Sequence, residues 1–381
     1  MTDCPRIVVS PTSTDNSIVV MRQLRAAGVD VVGADDGHLP MWLRSRHCRR
    51  YCRVPDAAER GVMEYLPEIV AQTRPDAILP INTPATLATI RHRPAFGAAV
   101  RTILPAAESF HSAYDKSACL AACRRLGIPC PDGYDPPEAA ARLRRSAGLR
   151  LVVKPRLDCG GGHGLRIVAD VVALDAALRH CAEHFGDAVI QEFIPGDVAQ
   201  LSMLLVLCGA DGRLVAAFTS RKRRQYPTAG GAATVSESTA AAGLVEQMRP
   251  LFAQWRWQGP AEVDLKLDPR DGAHKVLEVN PRFPSYLRFA VECGLDLPLM
   301  AAMLALEPSS VAAMPFPAYA VGRRYVSPGP FVRGLVDDFA RPGPRWARLR
   351  DALSDSAGGW GAGVCDDPLP FVGRVLFPER D

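Results

Sequence analysis

Ala261-Glu-Val-Asp-Leu-Lys-Leu267-Asp-Pro-Arg-Asp271-Gly272-Ala-His-Lys-Val276-Leu-Glu278-Val-Asn280-Pro-Arg282 is the stretch on which the reading of this chain turns. From Ala261 to Leu267 the residues alternate strictly, with Ala261, Val263, Leu265 and Leu267 on one face and Glu262, Asp264 and Lys266 on the other. That is the pattern of a half-buried strand. After a turn over Pro269 to Gly272, a second alternating run sets Val276, Glu278 and Asn280 on one side and Leu277 and Val279 on the other. A hairpin closed around Asp271 pairs Asp264 with Glu278 and Glu262 with Asn280. Like charges directly opposite destabilise a sheet unless something neutralises them. Mg²⁺ supplies that charge, since it takes oxygen ligands and uses one or two protein carboxylates while phosphates and water fill its other positions. The cluster therefore predicts a nucleotide site with Asp264, Glu278 and Asn280 around a cation, Mg²⁺ or Mn²⁺, and Arg282 as a permanent cation beside the phosphates. Taken alone, the same residues also describe a solvent-facing acidic hairpin.

Upstream, Leu151-Val-Val-Lys154-Pro155 reads as a buried strand carrying a lysine, and Leu165 to Val168 as a second apolar run. Between them lie Gly160, Gly161, Gly162, His163 and Gly164. A dinucleotide fingerprint or a P-loop leads from a strand into a helix, and the chain contains no G-x-x-x-x-G-K-[ST], so both are excluded. A glycine-rich tip between antiparallel strands can instead fold over a triphosphate and offer backbone N–H groups with no side chain in the way.

Lys154, the glycine loop, the acidic hairpin and Glu278-x-Asn280-x-Arg282, in this order, resemble the ATP-grasp superfamily from about Asp115 to about Leu306. Tyr114-Asp115-Lys116, opening a helix that ends at Leu126-Gly127 before Ile128-Pro129-Cys130-Pro131, fits the same pattern, as does Gln191-Glu192-Phe193-Ile194-Pro195-Gly196. The resemblance implies Lys116 and Lys154 as phosphate ligands, with Gly160, Gly161, Gly162 and Gly164 as the phosphate loop. It makes the backbone of Glu192, Phe193 and Ile194 an adenine hinge, and Asp264, Glu278 and Asn280 metal ligands. It gives Arg282 the stabilisation of the transferring phosphoryl group. Gln200 stands where the family often has a ribose-binding carboxylate, with Asp197 the alternative, and Asp264 stands where many members have Glu.

The implied fold is α/β with an α+β grasp. A preATP-grasp parallel α/β domain spans 1–113 and an ATP-grasp domain of two α+β lobes spans 114–307, with a small lobe at about 130–192 and a large lobe at about 193–307. A C-terminal appendage covers 308–381. The match is nearest to stand-alone carbamoyl-phosphate-synthase-like proteins, many of which are carboxylate–amine ligases. That implies ATP-dependent joining of a carboxylate to an amine, of amino acid or peptide type, through an acyl phosphate with release of ADP and phosphate. With no glutaminase portion, duplicated grasp half or biotin-carrier segment to be read, carbamoyl-phosphate-synthase and acetyl-type carboxylase roles are disfavoured; a bicarbonate-activating, carboxyphosphate-forming enzyme is the alternative, and a silent ATP-binding sensor a third.

In Ser220-Arg-Lys-Arg-Arg-Gln-Tyr-Pro-Thr-Ala-Gly-Gly231 a basic run follows an apolar strand, Leu214 to Phe218, and ends in Pro and Gly-Gly. It reads as an active-site loop with cations aimed at anions rather than as a nucleic-acid patch. Arg221 and Lys222 are both catalytic candidates. The N-terminal part alternates strands (Arg6 to Ser10, Val29 to Gly33, 76–81, 100–104) with helices (Ser17 to Ala27, 59–73, 84–91), which implies a parallel sheet covered on both faces. Asn16 or Ser17 is the expected helix cap after the loop Pro11 to Asn16.

The chain has 381 residues, 48% hydrophobic, and a net charge of only +4, which requires neither nucleic acid nor an anionic membrane as partner. No apolar run approaches the ~18 residues of a spanning helix, and the N-terminus lacks a signal-peptide core, so a cytoplasmic protein is expected. Eleven scattered cysteines read as free thiols, and neither His47-Cys48-Cys52 nor Cys119-Cys123 has zinc spacing. A homodimer is the default assembly, and Phe371 to Phe377 reads as a final strand.

Overall fold

A computed structural model describes residues 4–12, 14–35, 44–53, 62–157, 162–209, 212–227, 230–312, 314–340 and 343–359, together with 367 and 369. Gly160, Gly161 and the strand expected at Phe371 to Phe377 lie outside the described residues. The strands are β1 (Arg6–Ser10), β2 (Asp30–Asp35), β3 (Arg50–Arg53), β4 (Ala77–Pro80), β5 (Arg101–Thr102), β6 (Gly133–Tyr134), β7 (Leu151–Pro155), β8 (Arg166–Val168), β9 (Ala188–Glu192), β10 (Leu201–Cys208), β11 (Leu214–Tyr226), β12 (Ala232–Thr239), β13 (Gly259–Leu267), β14 (His274–Asn280) and β15 (Arg324–Val326). They form a five-stranded sheet ordered β3-β2-β1-β4-β5, a four-stranded sheet β6-β9-β7-β8 and a six-stranded sheet β14-β13-β10-β11-β12-β15. The first is parallel and the other two antiparallel.

The N-terminal alternation is as its periodicity implies, with two local differences: β3 (Arg50–Arg53) adds an edge strand that the alternation did not include, and the first helix takes another cap. The first helix runs Asp15–Ala26, and its cap is Thr14, whose hydroxyl accepts from the Ser17 N–H at 3.2 Å, rather than Asn16 or Ser17. β10 explains how the sheets are joined. Its residues alternate between two cores: Met203, Leu205 and Leu207 pack with β1 residues Ile7 and Val9 and with the helices Leu287–Glu292 and Leu297–Leu306. Leu204, Val206 and Cys208 pack under the helix Ala242–Gln254 and against Ala261, Val263 and Leu265 of β13. A strand buried on both faces must be apolar throughout, as Leu201 to Cys208 nearly is.

The β13–β14 hairpin has Asp264 opposite Glu278 and Glu262 opposite Asn280, as its alternation requires. The register then slips at Leu277, so that Val276 faces Leu265 in the core instead of sharing a face with Glu278. The bulge turns Leu277 to the cleft side, where its carbonyl accepts from Lys154. A second correction concerns the basic run. β11 continues through Arg221, Lys222, Arg223 and Arg224 to Tyr226, paired with β12 through two irregularities, so these residues sit on a strand and not in a loop. β15 adds an edge to the same sheet, and the helices Pro328–Ala340 and Arg345–Ser356 pack beside it, with Phe331 and Ala352 against Val235 and Val326.

Gly259 opens β13 in the left-handed region (φ +89°), and a Cβ there would collide with the Ile103 carbonyl oxygen. Gly259→Ala is therefore expected to lower stability by about 1–3 kcal/mol, read as a fall in denaturation midpoint. An unchanged midpoint would show that the contact between β13 and residues 103–104 does not constrain the fold.

Candidate nucleotide cleft

A cavity of about 720 Å³ opens between the four-stranded and six-stranded sheets. β7 carries Lys154 to its rim because the strand alternates Val153, buried under the helices Pro136–Arg145 and Val171–His184, with cleft-facing neighbours. The helix Lys116–Arg125, capped by Asp115, delivers Lys116 from the other side. Both lysines are almost fully enclosed, at 6% and 7% exposure, so neither ammonium can rely on solvent. They converge on Glu278, whose carboxylate lies 3.4 Å from Lys154 Nζ and 3.6 Å from Lys116 Nζ. Burial pushes the Glu278 carboxyl up, but the two lysines outweigh it and hold the group down at about 2. Lys154 is lowered by burial, with Glu278 opposing.

The rest of the acidic hairpin has no such compensation. Burial and the neighbouring Glu262 push Asp264 up to about 7. Glu262 is also raised by burial, against the pull of Arg282, which donates to its carboxylate at 2.8 Å. Asn280 donates to Asp264 at 3.4 Å. Glu278 is drawn toward the lysines and Glu262 toward Arg282, and among the described residues no cluster of His, Cys, Asp or Glu converges on a single point. The donor chemistry nevertheless fits a hard divalent cation: carboxylate and amide oxygens lie side by side, and burial together with Glu262 raises the Asp264 carboxyl against the pull of Lys222 and Arg282, a strain that a cation beside it would relieve.

Of the glycine-rich segment, Gly162 lines the cavity. Gly162 (φ +76°) lies so close to the β11–β12 turn that a Cβ would sit 2.9 Å from the Gly230 oxygen, and Gly164 packs on Pro155 and Phe185. At the far end, Phe193 and Ile194 line the cavity, and the Ile194 and Gly196 carbonyls accept from Lys266 at 2.9 and 3.1 Å. The Glu192 carboxylate is paired with Arg270 at 2.5 Å, and its backbone N–H donates to the Asp132 carbonyl at 2.8 Å. Asp197 and Gln200 bind each other in a capping box, Gln200 accepting from the Asp197 N–H at 2.8 Å. Of the two, Asp197 lines the cavity.

The basic strand divides by role. Lys222 lines the cavity and donates to the Gly231 carbonyl at 2.9 Å. Arg221 is not among the lining residues and is paired with Glu237 at 2.9 Å. Arg223 reaches Glu237 and Asp355, and Arg224 reaches Asp338, so the C-terminal helices supply the counter-ions. Sequence reasoning missed Lys266, which it placed on the polar face without a task, and Gln191, a lone amide in the apolar run Ala188 to Ile190. It also missed the wall formed by Val152, Leu201, Met203 and Leu277, whose alternation reads equally well as core.

The chain is similar to known proteins over this region. The family model described as an ATP-grasp domain matches residues 113–285. The carbamoyl phosphate synthase large chain of Thermus thermophilus is 26% identical over 312 residues, 74% of this chain, but this chain spans only 28% of that protein. Biotin carboxylase from Campylobacter jejuni superposes with a TM-score of 0.66 at 16% identity, covering 84% of this chain and 74% of that one. L-amino acid ligase from Bacillus licheniformis gives 0.62 at 16% identity, over 80% of this chain and 74% of that one. Lys116, Lys154 and the acidic hairpin all lie inside the span, residues 113–285, that matches the ATP-grasp domain.

Proposed function

We propose that the protein joins a carboxylate to an amine at the expense of ATP, by way of an acyl phosphate, with release of ADP and phosphate. The observation that carries this reading is the pairing of two buried lysines on Glu278 beside the paired carboxylates of β13 and Arg282. Lys116 and Lys154 bind and orient the phosphates, the backbone of Glu192 to Ile194 frames the base, and Arg282 and Lys222 face the transferring phosphoryl group and the acceptor carboxylate. Asp264, Glu278 and Asn280, with Glu262 adjoining, would hold Mg²⁺, which neutralises phosphate charge when bound. The protein's contribution is positioning and charge stabilisation, so no nucleophilic side chain is required. Residues 1–113 would then help shape the acceptor side, and 308–381 would brace the basic strand.

Purified protein supplied with Mg-ATP and pools of amino acids should release ADP only when a carboxylate and an amine are both present, giving a product lighter than their sum by one water. Turnover with bicarbonate alone would replace this reading by a carboxyphosphate-forming one, and ATP binding without turnover would replace it by a sensor.

Glu278→Gln removes the charge on which both lysines rest. It is expected to cut ADP formation by roughly 10²-fold or more and to lower the denaturation midpoint of the nucleotide-free protein. Unaltered turnover would remove Glu278 from the site.

Cation binding should also depend on pH. A metal takes the deprotonated carboxylate, and Asp264 is held up to about 7 while Glu278 is ionised throughout. Mg²⁺ binding in the presence of nucleotide should therefore tighten from about pH 6 to about pH 8 with release of a proton, and Asp264→Asn should flatten the dependence. Titration calorimetry in buffers of different ionisation enthalpy measures the proton count, and a count of zero would exclude Asp264 as the titrating ligand.

A further inference from the structure

The helix Val171–His184 covers the face of the small sheet turned away from the cleft, packing Leu174, Ala177 and Cys181 on Leu151, Val153, Val168 and Ile190. Two histidines stand beside that buried stripe, in the helix's last turn. His180 is half-buried and His184 exposed, and neither lines the cavity. Residues at i and i+4 are neighbours on a helix surface. Here the two imidazole centroids lie 4.6 Å apart, with the ring planes inclined by 35°.

The hydrogen bonds of the rings fix where their lone pairs are. His184 Nδ1 lies 3.0 Å from the His180 carbonyl oxygen. A carbonyl only accepts, so the neutral ring carries its proton on Nδ1 and its lone pair on Nε2. His180 Nε2 lies 3.3 Å from Arg166 Nη2. A guanidinium only donates, so this Nε2 carries a lone pair as well. A ring that gives its other N–H to a backbone carbonyl, as His184 does, is oriented in the way metal-ligating histidines usually are. The position also suits a positive charge, because the last carbonyls of a helix give its C-terminal turn a partial negative charge. Phe185, edge-on to His180 at 5.7 Å, adds an apolar side. One charge opposes a cation here, that of Arg166. Its exposed side chain donates to His180 through Nη2 and to the Leu165 carbonyl through Nη1 at 2.9 Å, and a metal would have to displace it.

We infer that His180 and His184 form a two-ligand site for a late first-row divalent ion, Zn²⁺, Ni²⁺ or Cu²⁺. Imidazole nitrogens suit these ions, whereas Mg²⁺ takes oxygen ligands. Among the described residues no third His, Cys, Asp or Glu completes a cluster, so water fills the other positions. The site is separate from the acidic hairpin and does not depend on what the cleft binds. Its place gives it a structural consequence. Phe185, which follows His184, packs where a Cβ on Gly164 would lie 2.9 Å from its ring, so an ion bridging the last helical turn stiffens the support of the glycine-rich segment from behind.

The test titrates Ni²⁺ into the untagged protein by calorimetry, comparing the wild type with His180→Asn, His184→Asn and Arg166→Ala. The wild type should bind one ion that each histidine variant binds about 100-fold or more weakly, at least what loss of an outer-shell partner costs a metal site. Cu²⁺ should bind more tightly than Ni²⁺, and Mg²⁺ in excess should displace neither. Arg166→Ala should tighten Ni²⁺ binding by about 5-fold, the equivalent of one hydrogen bond that no longer competes. Added Ni²⁺ should raise the denaturation midpoint of the wild type and leave that of the two histidine variants unchanged. No binding, equal binding by wild type and either histidine variant, or displacement by Mg²⁺ would overturn the inference. An Arg166→Ala variant that binds no more tightly than the wild type would remove His180 Nε2 from the coordination and overturn it as well.

Discussion

Glu278 holds two ammonium groups that the fold has taken out of water. Lys116 arrives on a helix from one side and Lys154 on a strand from the other, and each is too enclosed to be stable without a counter-charge. The carboxylate that supplies it comes from a third element, β14, so one small electrostatic knot ties the four-stranded sheet, the preceding helix and the six-stranded sheet together. This also decides how the cleft receives a ligand. On the proposed reading, an anion entering between the lysines would take over the part played by Glu278, and a cation brought with it the part played by the lysines. Binding would then be an exchange of partners rather than the filling of a void.

The basic strand follows the same logic at the opposite wall. Four consecutive cations would repel one another and any neighbouring helix end, but three of them are given carboxylates: Glu237 from β12 for Arg221 and Arg223, Asp355 and Asp338 from the C-terminal helices for Arg223 and Arg224. Lys222, Arg223 and Arg224 line the cavity, and of these Arg223 and Arg224 are held by carboxylates of the C-terminal helices. The helices Pro328–Ala340 and Arg345–Ser356 thus neutralise much of a broad positive stripe, and the run loses the character of a polyanion-binding patch.

How much of this could be read from the residues depended on whether a pattern had one physical solution. The alternation Glu262-x-Asp264 against Glu278-x-Asn280 had one, because a slip by a single residue would have sent every carboxylate into the core, and the cross-strand pairs are those the pattern requires. The bulge at Leu277 was hidden, since Val276 suits either face of a strand. The extension of β11 was hidden as well: arginines are poor evidence for a strand until the carboxylates opposite them are known, and Asp338 and Asp355 lie more than a hundred residues away. Gln191 stood in plain sight within the hinge motif, but only burial reveals that its amide lacks an acceptor.

Lys266 adds a last consequence. It sits on the same face of β13 as Glu262 and Asp264, and it pins the loop of Ile194 and Gly196 by its two carbonyl contacts. One rigid strand therefore carries the anchor for the base end of the cleft and the carboxylates of the phosphate end, at a rise of about 3.3 Å per residue. On the proposed reading β13 acts as a gauge of ligand length. A molecule that satisfies the Ile194 end but stops short of Asp264 leaves the far marks unread, and the strand cannot shorten to meet it.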